Sequence, residues 1–185
     1  MLKKKSIFIS ILHLFLITFA SSSIANEQCS AKVNFLTVPK IQSQTVPLAD
    51  EVSLKLNQYL ATQSKDGAKV ASNVICQQLI GASYTGSDEE WKNFLESAIN
   101  GLKRNNLQDI QFTLVGEVDK VYKGDLENKE YSFVFKSSAG VQNVYNVAIL
   151  DLENNTIYTI SVSGHESVKE SVYQEYKRIV SSFQI

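Results

Sequence analysis

The sequence predicts an α+β fold: an antiparallel β-sheet with helices packed on its faces. Three observations predict it. Residues 87–106 and 167–183 each carry apolar side chains at helical spacing behind a capping signal. Residues 108–165 between them are rich in alternating runs separated by turn signals. Within that stretch "VYNVAIL" turns apolar on both sides toward its end, which suits a central strand covered above and below. Apolar positions on both sides of the central strands favour helices on both faces of the sheet.

The chain opens with the pattern of a cleaved signal peptide over residues 1–25. Lys3, Lys4 and Lys5 form its basic start, Ile7 to Ala20 its apolar stretch, and Ser23-Ile24-Ala25 a small-x-small cleavage site. The apolar stretch is short for a membrane span of about 20 residues. The mature chain, 26–185, is expected to be one domain, with 26–55 as an N-terminal extension or the first strands. Its location is expected to be the bacterial periplasm or the medium.

Two cysteines remain, Cys29 and Cys76. In an exported protein an even count favours a disulfide, here closing a loop of roughly 48 residues worth about 4 kcal/mol in the chain-entropy model. Two free thiols are the alternative. A lipid on Cys29 is disfavoured, because Glu27 and Gln28 stand where small or apolar residues would be needed.

"KVNFLTV" is a short strand candidate. "KIQSQTV", bracketed by Pro39 and Pro47, reads as an extended connector or an edge strand. Residues 48–80 are ambiguous. Leu48, Val52, Leu56, Tyr59 and Leu60 fit a helical face, yet Asp66-Gly67 sits between two polar-apolar runs as a hairpin signal. Strands at about 56–64 and 68–79 are expected, after a short helical or irregular turn.

The first helix is the clearest element. Ser87 is its N-cap and Glu90 completes a capping box. Asp88, Glu89 and Glu90 suit the positive helix start, and Lys103 and Arg104 the negative end. Trp91, Phe94, Leu95, Ala98, Ile99 and Leu102 form one apolar stripe. Gly116 is then read as a bulge. "EYSFVFK" places Tyr131, Phe133 and Phe135 on one face, and Asn154-Asn155 marks a two-residue hairpin turn. In the last helix Ser167 and Glu170 repeat the capping-box spacing. Val168, Val172, Tyr176, Ile179, Val180 and Phe183 make its stripe.

The run "YNVAILDLENNTIYTISVSG" followed by "RIVSSF" resembles the PsbP-like or Mog1-like proteins, including secreted bacterial proteins of the DcrB and LpqN type. The resemblance covers roughly residues 68–185. It implies an α/β/α sandwich, a structural aromatic at Phe183, and a non-enzymatic role as adaptor, accessory subunit, chaperone or ligand-binding protein.

The chemistry-bearing residues are sparse. Removing the three signal lysines leaves 15 basic against 19 acidic residues, a net charge of −4. There is no basic cluster of the kind nucleic acid requires. The mature chain has one histidine, His165, in "SGHES"; it reads as a loop residue, with a serine hydrolase as the sharper alternative. No nucleophile elbow, zinc-ligand spacing, calcium loop, P-loop or dinucleotide fingerprint occurs. The acids Glu89, Glu90, Glu96, Glu166, Glu170 and Glu175 are expected on solvated helix surfaces.

These features lead to the expectation of an exported, monomeric, non-enzymatic binding or accessory protein without a cofactor. Its partner would be another protein: envelope or secretion machinery, or a toxin to be neutralised. A small-ligand or lipid-binding role is the alternative, and a hydrolase using His165 a more distant one.

Overall fold

The computed structural model describes residues 31–185. Seven strands form one antiparallel sheet in the order β1-β2-β3-β7-β6-β5-β4. The chain lays down β1 (Lys40–Ala49), β2 (Val52–Lys65) and β3 (Ala68–Ile80) as consecutive hairpins. Helix α1 (Asp88–Arg104) then carries it across the sheet to the opposite edge. From there β4 (Gln108–Leu114), β5 (Glu127–Ser137), β6 (Gly140–Asp151) and β7 (Thr156–His165) return until β7 pairs with β3. Helix α2 (Lys169–Ser182) closes the fold.

Local chemistry explains these elements. Asp66 and Gly67 take φ of 46° and 79°. That is the positive-φ pair a two-residue hairpin needs, and it sets β2 against β3 from Ser53↔Ile80 to Lys65↔Ala68. Gly81 has φ 79°, and a Cβ there would lie 1.9 Å from the Glu51 carbonyl oxygen, so only glycine fits. Asn155, at φ 51°, clasps the start of the crossover. Its Oδ1 accepts from Tyr84 N–H at 2.8 Å, and its Nδ2 donates to the carbonyls of Leu79 and Ala82 at 2.6 and 2.7 Å.

The period-two alternation sorts the core onto both sides of the sheet. On the α2 face, Val70, Val74, Cys76, Val147, Ile149, Tyr158, Ile160 and Val162 pack with Val168, Val172, Tyr176, Ile179 and Val180. On the α1 face, Tyr131, Phe133, Ala148, Leu150 and Ile157 pack with Trp91 and the half-buried stripe of Phe94, Leu95, Ala98, Ile99 and Leu102. At about 25 cal/mol per Å² of apolar surface removed from water, these two clusters supply the main driving force for folding.

The expected α/β/α sandwich is overturned. The molecule is mostly antiparallel sheet, seven strands against two helices, and not a helix-rich layered sandwich. The apolar positions on both faces of β6 and β7 implied cover on both sides. They did not reveal that the three strands from 40 to 80 would widen the sheet beyond what two helices can layer.

Several local expectations also change. Residues 52–65 are strand throughout, because the turn at Asp50 and Glu51 (φ 64°) makes them the return arm of a hairpin. "KVNFLTV" is largely irregular; Lys32 alone bridges to Gln184, exchanging backbone bonds of 2.9 and 3.0 Å. The irregularity in β4 lies at Asp109 (φ 53°) and not at Gly116. The β6–β7 turn spans four residues, Leu152 to Asn155.

Candidate functional site

The singled-out residues fall in separate places. Ser87 caps α1: its Oγ accepts from Glu90 N–H at 3.3 Å. Glu90 reaches past the box, its Oε2 accepting from the N–H groups of Thr85 and Gly86 at 2.7 and 2.8 Å and from Thr85 Oγ1 at 3.0 Å. It ties the crossover loop to the helix and is not a solvated acid. Trp91 is buried, donates Nε1–H to Glu127 Oε1, and lies 5.7 Å below the Lys129 ammonium. Phe183 ends α2, half-buried, 5.3 Å from Tyr158 and 6.4 Å from Tyr122 in edge contacts. Cys76 is fully buried on β3 and is not a free thiol. Cys29, the partner expected for it, and the signal peptide lie outside the described residues.

His165 does not assemble a hydrolytic triad. Its Nδ1 accepts the Ser167 N–H at 3.1 Å and meets Ser167 Oγ at 2.9 Å. The histidine caps the short 3-10 turn Glu166–Val168, and α2 begins one residue later than a Ser167 cap predicts, with no side-chain cap of its own. Its Nε2 faces Gly140, where a Cβ would stand 2.7 Å away. Glu166 turns instead to Asn143 Nδ2 and to Lys169 Nζ at 3.7 Å. No carboxylate among the described residues bonds the His165 ring, as a base-orienting acid would.

Two buried carboxylates on the α2 face escaped the sequence. Glu130, on β5, is 1 % exposed; its Oε1 accepts from Tyr122 N–H at 2.6 Å and its Oε2 from Tyr176 Oη–H at 2.8 Å. Burial, reinforced by the Glu130 charge, pushes the Tyr176 phenol far above its ordinary value. Glu175 is buried rather than solvated. Arg178 grips it through Nε and Nη2 at 2.8 and 2.7 Å, and Ser72 Oγ donates to it at 3.2 Å. That pairing raises the Arg178 pKa. Arg178 Nη1 also donates to the Asn34 carbonyl, and Asn34 N–H donates to Ser182 Oγ at 3.1 Å, so this network holds the N-terminal segment against α2. A signal for Glu175 existed: it falls on the Val172–Tyr176–Ile179 stripe, three residues before Arg178. Glu130 offered none beyond alternation, opposite in phase to Tyr131 and Phe133.

Between that segment, β2 and α2 lies a shallow surface dip with no enclosed volume, bordered by Leu36, Ala61, Val70, Ser72 and Glu175. Pockets that enclose small molecules run from about 300 Å³. Among the described residues no group of three or more His, Cys, Asp or Glu is placed to hold a metal ion. No helix among them is long and apolar enough to cross a membrane.

Among the described residues β1 forms one open edge of the sheet. Leu36, Val38 and Ile41 are 58, 94 and 63 % exposed along its approach. Residues 41–49 carry no charge, and β1 stays in register with β2 until Pro47. The far edge differs: β4 is interrupted at Asp109, whose carboxylate lies 3.9 Å from Lys136. Bulges and charges of that kind blunt an edge against pairing; β1 has no bulge before Pro47 and no charge after Lys40 at its start. Compared with known proteins, the chain matches no family model and no curated protein.

Proposed function

We propose that this is an exported, non-enzymatic binding or accessory protein that acts by protein–protein contact through β1. Envelope or secretion machinery, or a secreted toxin, would be the setting. The observation that carries this reading is the open β1 edge, uncharged from Ile41 to Ala49, with Ile41 on it and Leu36 and Val38 beside it exposed. An edge strand offers main-chain hydrogen bonds to an added strand, and flanking apolar groups add area and specificity. A small-ligand role has less support, since the dip beside Glu175 encloses no room for a ligand.

The test is affinity capture with the mature chain and with Thr45→Pro, which removes one backbone donor on this edge. The wild type should retain a stoichiometric protein that the variant releases. Equal retention by both, or no retained protein, contradicts the reading.

A further inference from the structure

We infer that β1 pairs antiparallel with β1 of a second copy of this chain, joining two seven-stranded sheets edge to edge. This rests on the reading of β1 as a protein-contact edge, and it names the partner.

Backbone geometry supplies the first argument. Pro47 stands opposite Ser53 of β2 and has no N–H to give it. Proline is tolerated in a strand where its nitrogen faces away from the neighbour. Backbone groups alternate in direction along an antiparallel strand, so Ile41, Ser43 and Thr45 also turn their N–H and C=O groups to the open edge. β1 ends the sheet, so these groups have no strand to pair with among the described residues.

A copy of the same strand satisfies them. In an antiparallel pairing centred on Gln44, Ser43 stands opposite Thr45 of the second copy and Ile41 opposite its Pro47. Ser43 and Thr45 exchange both backbone bonds, and Ile41 N–H donates to the Pro47 carbonyl. Every outward donor from 41 to 45 finds an acceptor, about six bonds in all. The proline costs only a donor that the pairing does not need. Residues of equal parity face each other, so each sheet keeps its α2 face on the same side.

Charge supplies the second argument and chooses the copy over an unrelated strand. Lys40 stands at one end of β1, Asp50 and Glu51 at the other, and nothing charged lies between. All three are exposed, and none has an ion-pair partner among the described residues. Parallel copies would stack like charges. Antiparallel copies bring Lys40 of each toward Asp50 and Glu51 of the other, at both ends of the joint, and opposite charges across strands favour pairing. Between the ends every facing pair is uncharged: Gln44 with Gln44, Ser43 with Thr45, and Gln42 with Val46.

Sedimentation of the mature chain over a concentration series tests this. A monomer–dimer equilibrium is expected. Lys40→Glu should weaken it on the order of tenfold, since two attractive contacts become repulsive. The exchange Lys40→Glu with Asp50→Lys should restore it. Thr45→Pro should abolish it, and Ser43→Lys gives the same result should the proline variant fold poorly. A chain that stays monomeric at about 1 mM overturns the inference. So does a dimer indifferent to all these changes. If the monomer still retains a different protein through β1, released by Thr45→Pro, the contact reading stands and the second copy does not. If it retains none, both fall.

Discussion

Replacing Tyr176 with Phe removes one hydroxyl from the centre of the α2 face and little else. Tyr176 is 2 % exposed, and its ring keeps its neighbours Tyr145 and Tyr173, with centroids at 5.9 and 6.4 Å. The lost group donates to Glu130 Oε2 at 2.8 Å and lies 3.1 Å from the Asn146 carbonyl. One hydroxyl carries one proton, so the carboxylate takes the main bond and the carbonyl shares it. Glu130 is 1 % exposed, and its remaining bond is from the Tyr122 N–H to the other oxygen. A hydrogen bond to a charged group contributes about 1.5–3 kcal/mol, and a buried acceptor left unmade costs a similar amount. The expected loss is therefore about 2–3 kcal/mol. At about 2–4 °C per kcal/mol for a domain of this size, Tm should fall by roughly 4–12 °C. Urea unfolding followed by tryptophan emission measures it, as a lower midpoint with an unchanged slope. Pairing the change with Glu130→Gln in a double-mutant cycle should show coupling above about 1 kcal/mol. A loss under about 0.5 kcal/mol, or additive single changes, would refute the view that this bond anchors α2.

Ser87→Ala should cost about 1 kcal/mol through the lost cap on α1, and Glu90→Ala should cost at least as much because three loop donors lose their acceptor; thermal melts check both. Gly81→Ala should be far worse than either, since the new methyl collides with the Glu51 carbonyl at a positive φ, and the measure is soluble yield and Tm. Stability should fall as pH rises past about 10, the ordinary tyrosine value. Burial raises the phenol pKa of Tyr84, Tyr131 and Tyr176 in the folded state, so their contribution is complete below the unfolded pKa and is lost above it. Tyrosinate absorbance should show these three ionising only with unfolding; ionisation in the native state would contradict that. Reduction of the mature chain should add two hydrogens in mass and lower Tm if Cys29 closes a loop onto Cys76, whereas two thiols alkylated in the native protein would exclude the bond.

The sequence made some parts of this molecule legible and hid others for identifiable reasons. Asp66-Gly67 is a purely local signal, and the hairpin follows it. Tyr131, Phe133 and Phe135 alternate strictly and share the face under Trp91. The stripe from Val168 to Phe183 packs on the sheet as its spacing requires. What failed depended on distant partners. Residues 52–55 are read from sequence as part of a helical or irregular turn, and only pairing with β1 and β3 settles them as strand. Ser167 has the spacing of a cap, but its hydroxyl meets the His165 ring, which caps the short turn ahead of α2. Glu175 looks like a surface acid until Arg178, Ser72 and the N-terminal segment close over it. The edge character of "KIQSQTV" was readable from its prolines; that the opposite edge would be guarded and this one open was not.

Hydrogen exchange at the backbone amides of Ile41, Ser43 and Thr45 tests the central claim most directly. The isolated monomer should exchange these three rapidly while their even-numbered neighbours, bonded to β2, are protected. On association, with a second copy or with a captured partner, all three should become protected together. Protection that appears elsewhere while these amides stay fast would show that β1 is not where this protein meets another.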